Sequence, residues 1–240
     1  MRLYAIGDVH GQLDLLTAAH ERVFRDGGRD APIAHVGDLI DRGPESRGVV
    51  EYLLQGQIAG RPWVVTRGNH DRFLPKFLHQ PDWIDPGLSS ARHWLDHPSL
   101  GAAETLASYG LDPALPRERL HAEALRAVPA AHVDFLASLP LWFLHEQALV
   151  VHAGIRPGVG LEAQVEHDLV WIRKGFLDSE VDHGRLVVHG HTAIRTATLY
   201  HNRLNIDGGA AYGRPLCAVV IEDRVVHLLT DAGRAPLLPE

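Results

Sequence analysis

The chain has 240 residues, 45% hydrophobic and 22% charged, the make-up of one globular domain or at most two small ones, which excludes a disordered or fibrous protein. Its 23 basic and 30 acidic side chains give a formal net charge of −7 with no basic tail, so neither nucleic acid nor a membrane is an expected partner, and an anionic substrate must be held locally. The single cysteine, Cys217, excludes internal disulfides and multi-thiolate zinc sites. No apolar run approaches membrane-spanning length and no signal-like stretch opens the sequence, so a cytoplasmic protein is expected.

In chain order, short apolar runs that end at a glycine mark buried strands: Leu3 to Ile6, Ile33 to Val36, Trp63 to Thr66, Leu149 to Val151 and Leu186 to Val188. Between the first two, Leu13, Leu16, His20, Val23 and Phe24 recur at helical spacing, and between the next two Val49, Val50, Leu53, Leu54 and Ile58 do so. A β-α-β-α-β order implies a parallel sheet whose carboxyl-end loops converge on a ligand. From about 72 to 140 the pattern changes to short helices broken by prolines, which predicts a mainly helical inserted cap. Beyond Leu186 strands return, ending in the hairpin-like Leu216 to Ile221 and Val225 to Thr230, expected to build a second, more antiparallel sheet. The fold class expected is α/β, within one domain spanning 1–240.

The strand tips carry the chemistry. They read Gly7-Asp8-Val9-His10-Gly11, Gly37-Asp38-Leu39-Ile40-Asp41-Arg42-Gly43, Gly68-Asn69-His70-Asp71, His152-Ala153-Gly154 and His189-Gly190-His191-Thr192. Five neighbouring loops thus offer carboxylate, imidazole and amide ligands without thiolate, a mixture suited to two divalent cations. Two close cations need a carboxylate between them to screen their repulsion, and Asp38 is the best candidate for that bridge.

These motifs resemble the signature GDxHG, GDxxDRG and GNH followed by an acid, which identifies the PPP-type serine/threonine protein phosphatases of the calcineurin-like metallophosphoesterase superfamily. Gly37 to Pro44, His152 to Pro157, Trp171-Ile172-Arg173 and Gly190-His191-Thr192 look most like the small bacterial and phage-type members. The resemblance implies a two-sheet α/β/β/α sandwich and hydrolysis of phosphomonoesters by direct attack of a metal-bridging hydroxide. It implies two divalent metal ions, Mn²⁺ first and Fe or Zn as alternatives. Asp8 and His10 would bind one metal, Asp38 would bridge, and Asn69, His152 and His191 would bind the other. His70 and Asp41 would form the acid dyad, and Arg42 and Arg173 would clamp phosphate. The implied substrate is a phosphorylated protein or a small phosphoester; no oligomeric partner is indicated.

Within the same fold the nearest rival is a symmetrical bis(5'-nucleosyl)-tetraphosphatase, which typically carries alanine where this chain has Asp41. Further rivals are a phosphodiesterase and a non-catalytic metal-binding scaffold, which the full ligand set argues against. Asp71 replaces the family's usual glutamate. His189 is expected to be structural or to support a ligand, and the remaining histidines to be core or surface residues. Arg67, Arg72 and Arg156 are expected to pair with carboxylates, and Trp83, Trp94 and Tyr109 to pack the insert on the body.

Overall fold

The computed structural model describes residues 2–88, 90 and 92–239; Met1, Ser89, Ala91 and Glu240, which fall within the expected domain, lie outside the described residues. The chain opens with β1 (Leu3–Ile6), α1 (Leu13–Gly27), β2 (Ile33–His35), α2 (Ser46–Ile58) and β3 (Trp63–Val65). The three strands pair in parallel, as connections through helices require. Four short helices follow, α3 (Phe73–His79), α4 (Ala102–Ser108), α5 (Arg117–Ala127) and α6 (Ala130–Ser138). Pro116 and Pro129 stand at the N-caps of α5 and α6, where a missing N–H costs no helical hydrogen bond.

The second half supplies β4 (Trp142–Leu144), β5 (Ala148–Val151), α7 (Glu166–Trp171), β6 (Leu186–His189), β7 (Thr198–Leu199) and β8 (Arg203–Asn205), then β9 (Ala218–Glu222), β10 (Val225–Thr230) and β11 (Gly233–Leu237). One sheet runs β11-β10-β9-β1-β2-β3 and the other β4-β5-β6-β8-β7. Here the sequence-based expectation is corrected. The terminal hairpin does not build the second sheet; β9 lies antiparallel against β1, Leu3 opposite Ile221 and Ile6 opposite Ala218. The centre of the second sheet, β5-β6-β8, is parallel. Alternation of apolar residues shows that a strand is buried, but not which free edge it completes, and the open side of β1 was available to either hairpin strand.

Period-two alternation sets the layers. In β1, Tyr4 and Ile6 join the core shared with α1, α2 and the insert, whereas Leu3 and Ala5 face the core between the sheets with Val150, Val188, Leu204 and Val219. On its outer face the second sheet packs Leu149, Val151 and Val187 against Leu169 and Phe176. The result is an α/β/β/α sandwich. The carboxyl ends of β1, β2, β3, β5 and β6 come together at one rim, where the two sheets meet.

Candidate active site

Local backbone conformation already sets this rim apart. Seven non-glycine residues among those described have positive φ, and five of them are His10, Asp38, Asp41, Arg42 and His191. The left-handed region costs about 1–3 kcal/mol for a side-chain-bearing residue and persists only where the surroundings enforce it. Glycines make the crowding possible: a Cβ on Gly68 would collide with the Asp38 carboxylate, and one on Gly190 with Asp8 Oδ1.

Asp38 occupies the centre. Its Oδ2 lies 3.4 Å from His10 Nε2, and its Oδ1 lies 3.4 Å from His152 Nε2 while accepting the His70 N–H at 2.9 Å. Two buried clusters result, His10–Asp38–His70 and Asp38–His152–His191, sharing only Asp38 among the described residues. Asp8 belongs to neither cluster, but its Oδ2 accepts the His191 N–H at 3.0 Å and its buried Oδ1 has no hydrogen-bond partner among the described residues. Asn69 turns Oδ1 toward His152 Nε2 at 3.0 Å and His191 Nδ1 at 2.9 Å.

The protons show what this arrangement demands. His10 Nδ1 donates to the Ile40 carbonyl at 3.0 Å and His152 Nδ1 to that of Val36 at 2.8 Å, so both rings present a bare Nε2. His152 Nε2 and Asn69 Oδ1 are then two acceptors facing each other, an arrangement that a cation relieves. Burial pulls the His152 imidazole down to about 4 and those of His10 and His191 well below their usual range, which keeps their lone pairs free at neutral pH. Burial and then Asp207 push Asp8 up, and burial pushes Asp38 up. Crowded carboxylates beside neutral imidazoles form a donor set that fits hard or borderline divalent cations.

His70 differs from the other imidazoles. Its Nδ1 is 2.7 Å from Asp41 Oδ2, and its Nε2 lies farther from Asp38, at 4.0 Å. Asp41 also accepts from Trp94 Nε1 at 3.0 Å and Thr105 Oγ1 at 2.7 Å, both supplied by the insert. Burial pushes Asp41 up to about 8 and His70 down to about 3. Acid with neutral imidazole and carboxylate with imidazolium hold the same number of protons and differ only in where one of them sits. The 2.7 Å hydrogen bond between them holds the ring in place whichever partner carries the proton.

Arg42 reaches into the site, with Nη1 2.6 Å from His10 Nε2 and Nη2 3.0 Å from His70 Nε2. Arg173 is a surface side chain whose Nη2 donates to the His191 carbonyl at 3.2 Å. Asp71, despite its shorter side chain, accepts three backbone N–H groups, from Asp38 at 2.9 Å, Leu39 at 2.7 Å and Gly68 at 2.8 Å. It thereby joins the tips of β2 and β3.

His189 belongs to neither cluster; its Nδ1 donates to the Gly190 carbonyl and its ring packs on Phe176. Arg156 forms a two-pronged pair with Asp168, while Arg67 and Arg72 share Glu166. Sequence reasoning missed Asp207, a buried carboxylate beside Asp8. Its signal was partial, since in Leu204-Asn205-Ile206-Asp207-Gly208 the acid precedes the glycine and Asn205 interrupts the apolar run, unlike Gly7-Asp8 and Gly37-Asp38. It also missed Thr105 and the bond from Trp94 to Asp41, which no spacing announces.

The family model for calcineurin-like phosphoesterases matches residues 1–212. The chain is 25% identical to the asymmetrical bis(5'-nucleosyl)-tetraphosphatase PrpE of Halalkalibacterium halodurans, across 100% of this chain and 97% of that one. A crystal structure provisionally described as a diadenosine tetraphosphatase superposes with a TM-score of 0.65 at 20% identity, covering 100% of this chain and 95% of the other. The cold-active protein-tyrosine phosphatase of a psychrophilic Shewanella gives a TM-score of 0.61 at 17% identity, covering 99% and 80%. At such identities the two structures speak for the fold.

Proposed function

Because the chain belongs to the calcineurin-like phosphoesterase family, we propose that it hydrolyses dinucleoside polyphosphates at a dinuclear divalent-metal site. The observation that carries the chemistry is the double cluster around Asp38, with bare acceptors on both sides and the His70–Asp41 pair alongside. Asp8, His10 and Asp38 would hold one cation, and Asp38, Asn69, His152 and His191 the other, with Mn²⁺ the first metal to assay. When bound, such cations supply Lewis acidity toward phosphoryl oxygens and lower the pKa of a nearby water.

The chain's own residues do the rest. Asp41 fixes the His70 ring through Nδ1, so that Nε2 delivers the proton to the departing oxygen. Arg42 and Arg173 bring guanidinium charge to the equatorial phosphoryl oxygens, where a planar fork of donors suits two oxygens at once. Asp38, Asn69 and His152 form the buried floor of the site.

The substrate class is supported by the whole-length relatives named as tetraphosphatases. That class was the runner-up from sequence, there in its symmetrical form. A protein serine/threonine phosphatase is the second reading, favoured by the intact His70–Asp41 dyad. Metal-stripped protein reloaded with Mn²⁺ is to be given diadenosine tetraphosphate and a phosphoserine peptide at equal concentration. Faster cleavage of the dinucleotide, to ATP plus AMP, is expected. A peptide preference moves the assignment to the second reading, and cleavage of bis-p-nitrophenyl phosphate ahead of p-nitrophenyl phosphate would make the protein a diesterase.

A further inference from the structure

Tyr212 is the one Phe, Tyr or Trp among the described residues that lies largely exposed, at 59%. Three arginines surround it: its ring centroid is 5.6 Å from the Arg42 guanidinium carbon and 6.0 Å from that of Arg214, and its phenol is within electrostatic reach of Arg173. The segment bearing it is fixed. A single turn, Ala210–Tyr212, is bounded by Gly209 and Gly213, both left-handed with φ of 80° and 75°. Gly209 N–H donates to Asp207 Oδ1, Tyr212 N–H to the Gly209 carbonyl and Arg214 Nη1 to the Ile194 carbonyl, at 3.0, 2.9 and 2.9 Å.

An exposed aromatic residue forfeits burial, yet here it is held rigidly next to the groups that face a phosphoryl oxygen. We propose that Tyr212 is the stacking platform for the nucleobase of a nucleoside polyphosphate whose phosphates reach Arg42 and Arg173. This rests on the substrate reading above and names the part of the substrate that the ring recognises. Arg42 ties the two ends of the ligand together, because one guanidinium both reaches His10 and His70 at the phosphate position and lies over the ring of the base platform. A flat ring offers a π-face and so serves any base, at a gain that stacking in nucleic-acid proteins places near tenfold in affinity.

The test compares ATP with inorganic triphosphate, which has the phosphates without the base, as inhibitors of p-nitrophenyl phosphate hydrolysis in saturating Mn²⁺. The ratio of their inhibition constants is to be read for the native protein, Tyr212→Ala and Tyr212→Phe, with thermal unfolding as a check on the fold. Tyr212→Ala is expected to erode the preference for ATP roughly tenfold, and Tyr212→Phe to retain it. An unchanged ratio in Tyr212→Ala overturns the proposal, as does equal loss in Tyr212→Phe. Failure of the native protein to cleave diadenosine tetraphosphate would instead overturn the substrate reading, and the inhibition ratio is measured independently of that result.

Discussion

Behind the first sheet, His20 and His35 form a buried pair whose protons can be placed one by one. His35 Nδ1 donates to the Val64 carbonyl at 3.0 Å, so its Nε2 is bare and must accept from His20 Nε2 at 2.9 Å. His20 Nδ1 is left without a partner, in a cage formed by Phe24, Tyr52 and Trp63. A further proton would either set two donors against each other or strand an unpaired N–H among rings. Burial accordingly draws His20 down to about 2 and His35 to about 4. The folded state thus binds fewer protons than the unfolded chain; stability is fully present above about pH 6.5 and is lost as the pH falls below it. With an ordinary value near 6.5, each ring costs about 2 kcal/mol at pH 5 relative to pH 8. His20→Gln keeps a donor for His35 Nε2 and removes one titration, so its urea-unfolding free energy is expected to fall by about 2 kcal/mol less than that of the native protein over this interval. The comparison is made in chelator, which leaves the other histidines common to both proteins. Parallel acid limbs for the two would refute the proton assignment.

Replacing His70 by Asn removes the proton donor and is expected to slow turnover by roughly 10² to 10⁴ while two metals stay bound; metal analysis showing a lost cation would instead make His70 a ligand of the first cluster. Asp38→Asn is expected to weaken both cations together, and calorimetry finding one site untouched would exclude a bridge. Asp71→Asn leaves at least one of three backbone N–H groups facing a donor and is expected to cost about 1–3 kcal/mol. Chemical denaturation at pH 8 reads this, and an unshifted midpoint would show that the β2 and β3 tips do not depend on that carboxylate.

The candidate site was legible where chemistry and backbone geometry coincide in a short string. An apolar run fixes a strand, and the glycine after it allows the sharp turn that aims Asp8, Asp38 or Asn69 inward, so type and place are written within five residues. The groups around Asp41 were not legible in this way. Thr105 and Trp94 reach it across 64 and 53 positions of chain from an insert whose aromatic residues, Trp94 among them, were expected to pack it on the body. The same limit explains the terminal hairpin, whose strands were recognisable but whose partner β1 lies more than 200 residues earlier. Asp207 was overlooked for a different reason, since its tip carries a single acid with no histidine beside it.

Asp38 makes its two approaches across the seam of the sandwich, one carboxylate oxygen to a ring from the first sheet and the other to a ring from the second. A cation on the second side is then a rivet between the two sheets, added to an apolar layer and to polar links such as His152 Nδ1 to the Val36 carbonyl and His191 N–H to Asp8. Its affinity becomes a gauge of how the sheets slide against each other, because a displacement of a fraction of an ångström between them changes the coordination directly. Saturation at a hundred times the dissociation constant would add about 2.7 kcal/mol to the folded state, concentrated at that seam. Substitutions in the apolar layer between the sheets, such as at Val150 or Val219, are therefore expected to surface first as weakened metal retention, before any loss of helix or strand.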